Sequence, residues 1–303
     1  MTENFITVLQ CCLSGVCAVA TVENLLVIAV FAGTKKLRMK FYAFILNLAL
    51  ADLVFAIAAM LGTWIKTPVI SACINATFAV SILTILAAAI NRYLALSLMP
   101  PARYDSLVTG CRLVGVCIVL WCLGLGFCLL TSDAVIKAVL NGVQYVGLSL
   151  AVCIVWVITA LVYFLAFRKI KQYTPPLASA AAGTSANAER DQTRVQQTRR
   201  LLVVFVLILA VSFISWVPIS LLRVIRFFDR PFGQSDNFQV YIWGSRLLYT
   251  LSTAINPLVY WWRLDSFRER FHSLFCRCVS KAKPSEIEAD LTTNDKTIAE
   301  SGL

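Results

Sequence analysis

Long apolar runs separated by short polar segments fill the chain as far as residue 262. Seven of them reach about 20 or more residues, the length that a helix needs to cross the hydrocarbon core of a bilayer. They lie at about residues 5–32, 41–65, 68–97, 111–131, 143–168, 200–226 and 238–262. The pattern therefore predicts an all-α membrane protein whose residues 1–263 form a seven-transmembrane helix bundle.

The pattern changes after the seventh run. Large apolar side chains recur there at helical spacing, with charged residues between them: Phe267, Phe271, Leu274 and Phe275 against Arg268, Glu269 and Arg270. This spacing predicts an amphipathic helix over 264–278 that lies on the inner membrane surface and contacts membrane lipids. Cys276 and Cys278 at its end are candidates for palmitoylation. The polar tail, 279–303, is expected to be disordered, and Ser301–Leu303 fits a ligand of a PDZ domain.

Composition and charge narrow the class of protein. Of the 303 residues, 59% are hydrophobic and only 14% are charged, which excludes a soluble globular domain. The net charge is +11, but only six of the 27 lysines and arginines fall on the outer half: Lys66, Lys137, Arg223, Arg226, Arg230 and Arg246. By the positive-inside rule, we expect a multi-pass membrane protein with its N-terminus outside and its C-terminus in the cytoplasm. The basic charge thus sets orientation and does not indicate nucleic-acid binding.

Polar side chains inside four of the spans fall at a common depth. A rise of about 1.5 Å per residue from the basic inner flanks places them about 16–18 Å from the inner edge: Asn24, Asp52, Ser81, Ser252 and, slightly lower, Asn256. A charged group at mid-membrane costs about 2.5–3.5 kcal/mol, so a carboxylate there is a functional candidate. Oxygen atoms around one carboxylate suit Na⁺ bound at Asp52 or a water-filled polar network. Unrelated hydrogen bonds between pairs of helices are the alternative.

Several short motifs occur in order along these spans. They are NLALAD at 47–52, NRY at 91–93, WVP at 216–218 and NPLVY at 256–260, together with Asn24, Trp121 and Tyr163. In residue type, order and spacing, residues 5–276 resemble the rhodopsin-like (class A) G-protein-coupled receptors. The resemblance implies a receptor that binds an extracellular ligand and activates heterotrimeric G proteins, with arrestin and receptor kinases as further partners.

The resemblance also implies roles for single residues. Asp52, with Ser81, Ser252 and Asn256, would bind an allosteric sodium ion, and no other cofactor is expected. Trp216 would lie under the ligand pocket, and Pro218 would bend span six by removing a backbone hydrogen bond. Span six would swing outward to admit the G protein. The switch residues implied in this way are Asn91, Arg92, Tyr93, Tyr163, Trp216, Pro218, Pro257 and Tyr260.

Departures from the family pattern indicate a branch. The usual cysteine at the outer end of span three is Thr67 here, and the loop 132–142 has no cysteine to pair with it. The chain thus resembles the branch of melanocortin, adenosine, cannabinoid and lysophospholipid receptors, with melanocortin receptors closest. NRY is also typical of melatonin receptors, so a melatonin-like or other orphan receptor with high basal activity is the alternative. Glu23 stands where the family usually has glycine, and nothing in the sequence identifies its partner.

The outer halves of spans three, six and seven suggest a ligand pocket. Its candidate residues are Ile74, Asn75, Trp216, Arg223, Arg246 and Tyr249. Ile74 occupies the position where amine receptors have aspartate, which disfavours a monoamine. Arg246, helped by Arg223, would bind a carboxyl-bearing or other anionic ligand by forked hydrogen bonds. Alternatively, Arg223 and Arg226 reach lipid headgroups and Arg246 pairs with Asp229 or Asp236. The short segment before span one favours a small molecule, lipid or short peptide as ligand.

Arg92 at the inner end of span three lacks an obvious acidic partner. Asn91 replaces the neighbouring acid, and the start of span six offers Thr198 but no carboxylate. A neutral acceptor binds a cation about half as strongly as a charged one, so we predict raised basal signalling. Two other classes fit poorly. A transporter would show internal repeats and broken helices, and an enzyme built on a metal would need ligands that the spans, which contain no histidine, do not supply.

Overall fold

Seven long helices and one shorter helix make up most of the chain. The computed structural model describes residues 2–32, 39–98, 104, 106–132, 146–173 and 186–275. The long helices are α1 (Thr2–Ala32), α2 (Met39–Trp64), α3 (Pro68–Ser97), α4 (Gly110–Ser132), α5 (Leu148–Tyr173), α6 (Ala186–Phe228) and α7 (Asp236–Arg263). A helical turn, Arg230–Gly233, joins α6 to α7, and α8 follows at Asp265–Phe275. No strand occurs in these ranges, which confirms the all-α fold class.

The long helices differ in how apolar they are. Five contain stretches long and apolar enough to span a membrane, at Glu3–Ala32, Tyr42–Trp64, Pro68–Ser97, Leu148–Gln172 and Thr198–Phe228. On α4 the apolar stretch is shorter, Gly110–Gly126. The seventh helix is less apolar because it has a buried polar face, on which Thr250, Ser252, Thr253 and Asn256 are each at most 5% exposed. The lower hydrophobicity of α7 therefore comes from polar side chains that face the interior of the bundle.

The third helix lies at the centre of the packing. It contacts α2, α4, α5 and α6, while α1 packs on α2 and α7, and α6 packs on α7. Gly124 lets α4 approach α3 closely, because a Cβ there would lie 2.7 Å from Val80 Cγ2 and 3.0 Å from the Ala76 carbonyl oxygen. This central position brings side chains of α3 next to those of most other helices.

The link between α2 and α3 has only three residues, Ile65–Thr67. Thr67 is the N-cap of α3: its hydroxyl oxygen accepts a hydrogen bond from the backbone N–H of Ile70 at 3.2 Å. Pro68 follows at the first helical position, where its fixed φ and missing N–H do no harm. The residue that replaces the family's cysteine thus starts the helix. We call the end of the bundle that contains this link the outer end, following the predicted orientation.

Two prolines lie inside helices, Pro218 in α6 and Pro257 in α7. Each removes a backbone hydrogen bond and favours a bend at its position. By itself, α8 is amphipathic, and Arg268 pairs with Asp265 in its first turn. The predicted lipidation sites Cys276 and Cys278, most of the loop 132–142 and the tail 279–303 lie outside the described residues.

Candidate functional site

A buried carboxylate on α2 joins three helices. Asp52 is 2% exposed, and each of its two oxygen atoms accepts one hydrogen bond. The Ser81 hydroxyl of α3 donates to Oδ1 at 3.1 Å, and the Asn256 side-chain amide of α7 donates to Oδ2 at 2.7 Å. Hydrogen bonds to an ionised acceptor are about twice as strong as neutral ones. A charged Asp52 therefore ties α2, α3 and α7 together at one level of the bundle.

The two other residues predicted at this depth make different contacts. The Asn24 amide of α1 donates to the carbonyl oxygens of Ala20 at 2.9 Å and Thr253 at 3.3 Å. The Ser252 hydroxyl donates to the carbonyl oxygen of Tyr249 on its own helix, at 2.6 Å. The Oδ1 atoms of Asn24 and Asn256 are buried and accept no hydrogen bond from any described residue. Since buried polar atoms normally have a partner, these two oxygen atoms have unused acceptor capacity that would suit an ion or water.

A second polar network lies on the inner side of the first. The Asn47 amide of α2 donates to the Thr84 hydroxyl of α3 at 2.7 Å, and Asn47 Oδ1 accepts from the indole N–H of Trp121 on α4 at 3.1 Å. Thr84 in turn donates to the carbonyl oxygen of Val80 at 2.6 Å. The motif residues Asn47 and Trp121 thus serve packing of α2, α3 and α4. The sequence analysis did not identify Thr84 as part of this network, although a polar residue within an apolar span is a signal for such a role.

An aromatic cluster surrounds Trp216 on α6. Its ring stacks on Phe78 of α3, with centroids 6.0 Å apart and planes 13° apart, and meets Trp156 of α5 edge-on at 4.9 Å. Phe78 also meets Tyr249 of α7 edge-on at 5.3 Å, and Tyr249 meets Phe55 of α2 at 5.1 Å. Such pairs contribute about 0.5–1.5 kcal/mol each beyond area burial. Phe78 therefore connects Tyr249 to Trp216, a role that sequence reasoning missed.

The other pocket candidates lie on the outer half of α3. Ile74, like Tyr249, packs against a buried apolar cluster that includes Trp243. Asn75 is half-buried, and its side chain makes no hydrogen bond with the described residues. Glu23, whose partner the sequence did not reveal, is half-buried on α1, and its Oε2 has no hydrogen-bond partner there either.

Arginines gather at the outer ends of α6 and α7. The Arg246 guanidinium lies over the ring of Trp243, 4.7 Å from its centroid, and the side chain is exposed. Arg223 and Arg226 are close enough to repel its charge. Within the described ranges Arg246 forms no ion pair with Asp229 or Asp236, the partners considered above. Asp229 instead caps the turn before α7 by accepting from the Phe232 backbone N–H at 3.0 Å.

The inner end of α3 has a contact that the sequence did not suggest. Tyr104, in the link between α3 and α4, is 1% exposed, and its hydroxyl donates to Asn91 Oδ1 at 3.0 Å. Asn91 Nδ2 is buried and has no hydrogen-bond partner among the described residues. Beside it Arg92 is also buried, at 1% exposed, and Tyr93 is half-buried. Asn91 therefore contacts the link between α3 and α4 through the Tyr104 hydroxyl.

Two tyrosines complete this inner region. The Tyr163 hydroxyl of α5 donates to the carbonyl oxygen of Ile85 on α3 at 3.3 Å, and its ring lies within electrostatic reach of Arg92. Tyr260 of α7 is fully buried, and its hydroxyl has no hydrogen-bond partner in the part of the chain that is described. A buried hydroxyl without a partner costs about 1–3 kcal/mol, so a rearrangement that pairs it would be favoured.

Comparison with known proteins agrees with this arrangement. Residues 23–260 match the family of 7 transmembrane receptors (rhodopsin family). Adenosine receptor A2b of Canis lupus familiaris is 26% identical over 296 residues, covering 88% of this chain and 88% of that receptor. Adenosine receptor A3 of Ovis aries is 27% identical over 304 residues, covering 88% of each. The tachykinin-like peptides receptor 86C of Drosophila melanogaster is 24% identical over 293 residues, covering 86% of this chain and 57% of that receptor.

The family match and the helices confirm the predicted seven-helix membrane bundle. They also confirm the predicted branch to the extent that it includes adenosine receptors, while a closer likeness to melanocortin receptors stays a prediction. Proteins of this family are multi-pass receptors of the plasma membrane that act on G proteins, and they are not enzymes. The chain belongs to the rhodopsin-like, or class A, family of G-protein-coupled receptors.

Proposed function

We propose that this receptor binds an extracellular small molecule, lipid or short peptide with a negatively charged group, and that α6 then moves outward and activates a heterotrimeric G protein. The observation that supports the ligand class is the group of arginines at the outer ends of α6 and α7. The positive charges of Arg223 and Arg226 both repel that of Arg246 there. An anion placed among them would relieve that repulsion.

Arg246 is suited to meet such a group. Its guanidinium rests on the face of Trp243, which favours a cation and limits its motion. The side chain is exposed and is not paired with the nearby aspartates of the described residues. A planar guanidinium held in this way can donate two parallel hydrogen bonds to a carboxylate or phosphate. Trp243 thus holds the Arg246 guanidinium in place for binding an anionic group.

Aromatic contacts offer a route from the pocket to α6. A ligand that contacts Arg246 lies one turn from Tyr249 on α7. Tyr249 packs on Phe78, and Phe78 stacks on Trp216. Trp216 is two residues before Pro218, where α6 can bend. A shift of Tyr249 would therefore change the packing of Trp216 and the bend of α6, and at the inner end Arg92, Tyr163 and Tyr260 would rearrange around the G protein.

We also infer that Asp52 binds Na⁺ in the resting receptor. Carboxylate, hydroxyl and amide oxygens are the ligands that hard cations prefer. Asp52 and Ser81 are joined by a hydrogen bond, and the buried Oδ1 atoms of Asn24 and Asn256 have acceptor capacity that no described residue uses. An ion there would hold α2, α3 and α7 in the resting arrangement. Arrestin, receptor kinases and a PDZ protein at Ser301–Leu303 are further proposed partners, with the N-terminus outside and the C-terminus inside the cell.

The ligand class can be tested with a library of matched pairs, each an anionic compound and its neutral amide or ester, with guanine-nucleotide exchange as readout. Only the anionic members should be active. Arg246→Gln should raise the half-maximal concentration about 10- to 150-fold, since hydrogen bonds to charged groups contribute about 1.5–3 kcal/mol. Arg230→Gln, at an exposed arginine of the α6–α7 turn, is the matched control. Equal activity of neutral members, or an unchanged response of Arg246→Gln, would refute the proposal.

A second candidate ligand is adenosine. The similarity to adenosine receptors over 88% of the chain favours it. Because adenosine is neutral, its response should be insensitive to Arg246→Gln. Adenosine in the same exchange assay therefore separates the two candidates, and a response to adenosine that survives this substitution would favour the second.

A further inference from the structure

Trp156 on α5 has a buried hydrogen-bond donor without an acceptor. Its side chain is 3% exposed, and the indole N–H is buried and has no hydrogen-bond partner among the described residues. Buried polar groups are normally paired, because an unpaired donor keeps the full cost of leaving water. Trp156 belongs to the aromatic cluster around Trp216. The indole N–H therefore has unused donor capacity at a point where α5 meets α6.

The ring of Trp156 contacts one part of α6. It meets Trp216 edge-on, with centroids 4.9 Å apart, and Phe213 edge-on at 5.1 Å. These two residues are three positions apart, so they lie on the same side of α6 in neighbouring turns. Both come before Pro218, in the part of α6 that swings outward in the proposed function. Movement of α6 therefore changes what surrounds the Trp156 indole.

A serine hydroxyl lies within about one turn of both ring contacts. Ser212 adjoins Phe213 and is four positions before Trp216, about 40° from it around the helix. Ser212 is half-buried, and its hydroxyl makes no hydrogen bond with the described residues. A hydroxyl oxygen can accept a hydrogen bond from an indole N–H, which can only donate. Ser215, the other serine of this segment, lies about 200° from Phe213 and so on a different side of α6.

We propose that Trp156 and Ser212 form a conformational switch between α5 and α6. The indole N–H is unpaired in the resting receptor and donates to the Ser212 hydroxyl once α6 has moved outward. The switch rests on the proposed movement of α6, but it requires no ligand. Pairing a buried donor favours the active state by about 5- to 150-fold relative to the resting state. Trp156 thus acts on α6 from α5, whereas Tyr249 acts on it from α7.

Nuclear magnetic resonance of the indole N–H groups tests the pairing. The full-length receptor is labelled with ¹⁵N-tryptophan in nanodiscs, and Trp156→Phe identifies the Trp156 signal among those of the seven tryptophans. Binding of a heterotrimeric G protein, chosen from a panel by its affinity, should move this proton signal downfield, as hydrogen bonding does. Ser212→Ala should abolish the shift. An unchanged signal in the complex, or a shift that survives Ser212→Ala, would overturn the proposal.

Movement of α6 is measured separately in the same complex. Spin labels replace Leu107 of the α3–α4 link and Arg199 of α6, both of which are exposed. The labels are introduced as genetically encoded amino acids, so that the native cysteines are not labelled. An unchanged distance between the labels would refute both the outward movement and the switch. A changed distance with an unchanged indole signal would refute the switch alone.

Affinity for the G protein gives a second readout. Ser212→Ala should weaken binding of the G protein to the ligand-free receptor by about 5- to 150-fold, because the active state loses its acceptor. Ser212→Thr, which keeps a hydroxyl, should bind as the wild-type receptor does. In the Trp156→Phe background, Ser212→Ala should have no further effect, since both substitutions remove the same contact.

The matched control for Ser212 is Ser220→Ala, at a buried serine one turn after Trp216. It should leave the affinity for the G protein unchanged. An equal loss from Ser220→Ala would overturn the assignment of Ser212 as the acceptor. Additive losses in the double variant of Trp156 and Ser212 would show that the two side chains act independently, which also contradicts the proposal.

Discussion

The contact between Tyr104 and Asn91 makes a sharp prediction about the resting receptor. Tyr104→Phe removes one hydroxyl and keeps the ring in its buried place. Asn91 then loses the hydrogen bond to Oδ1, and because its Nδ2 already lacks a partner in the described part of the chain, the whole buried amide is left unpaired. Leaving a buried acceptor unsatisfied costs about 1–3 kcal/mol. We infer that the contact belongs to the resting state, so this cost should fall on that state.

The expected size follows from that cost. If the active state does not use the contact, the resting state loses between about 5- and 150-fold in population relative to the active state. Basal guanine-nucleotide exchange, measured on purified receptor with G protein and no ligand, should rise at least fivefold. Tyr241→Phe, at an exposed tyrosine of α7, is the matched control and should not change it.

Two results would refute this reasoning. Unchanged basal exchange in a variant with wild-type expression and thermal stability would mean that the contact persists in the active state or contributes little. Lower basal exchange would mean that it belongs to the active state instead. Hydrogen exchange of the α3–α4 link separates these outcomes, because a link released from Asn91 should lose protection.

Three further outcomes follow from the buried polar groups. Asn91→Asp should lower basal exchange, because a carboxylate accepts a hydrogen bond from the Tyr104 hydroxyl more strongly and lies next to Arg92. If basal exchange of the wild-type receptor is already at background and the substitution does not change it, the prediction of raised basal signalling is wrong. Asp52→Asn should remove the effect of sodium chloride, compared with choline chloride, on ligand potency; a sodium effect that persists would place the ion elsewhere. Asn47→Ala should lower stability by about 1–3 kcal/mol, seen as a lower Tm, since Trp121 and Thr84 lose a partner; an unchanged Tm would show that water replaces the amide.

The fold was predictable because its signal is repeated seven times. The length of an apolar run and the regular rise of a helix need no knowledge of neighbours. The same regularity put Asp52, Ser81 and Asn256 at one depth, and hydrogen bonds join them. Depth alone says nothing about rotamers, however. Ser252 lies at that depth, but its hydroxyl donates to its own helix, a choice that depends on a side-chain torsion.

Contacts that depend on helix rotation or on links could not be predicted. Phe78 and Trp156 are two of many aromatic residues in the spans, and only the packing of α3, α5 and α6 turns them toward Trp216. Tyr104 lies in a link without a regular apolar pattern, so its hydrogen bond to Asn91 could not be predicted from the sequence. The sequence left open whether Arg246 pairs with Asp229 or Asp236, because both acids are near it along the chain. The hydrogen bond from the Phe232 backbone N–H to Asp229 depends on the conformation of the turn, which the sequence does not show.

The N-cap at Thr67 has a consequence for how this receptor is made. A three-residue link and a threonine hydroxyl start α3 without any thiol, and the sequence has no cysteine between 129 and 152 that could be oxidised against it. The start of α3 is therefore formed without a disulfide, so it does not depend on the redox state of the compartment in which the chain folds. Reducing agents that open a disulfide at this position in other receptors should leave ligand binding by this one intact.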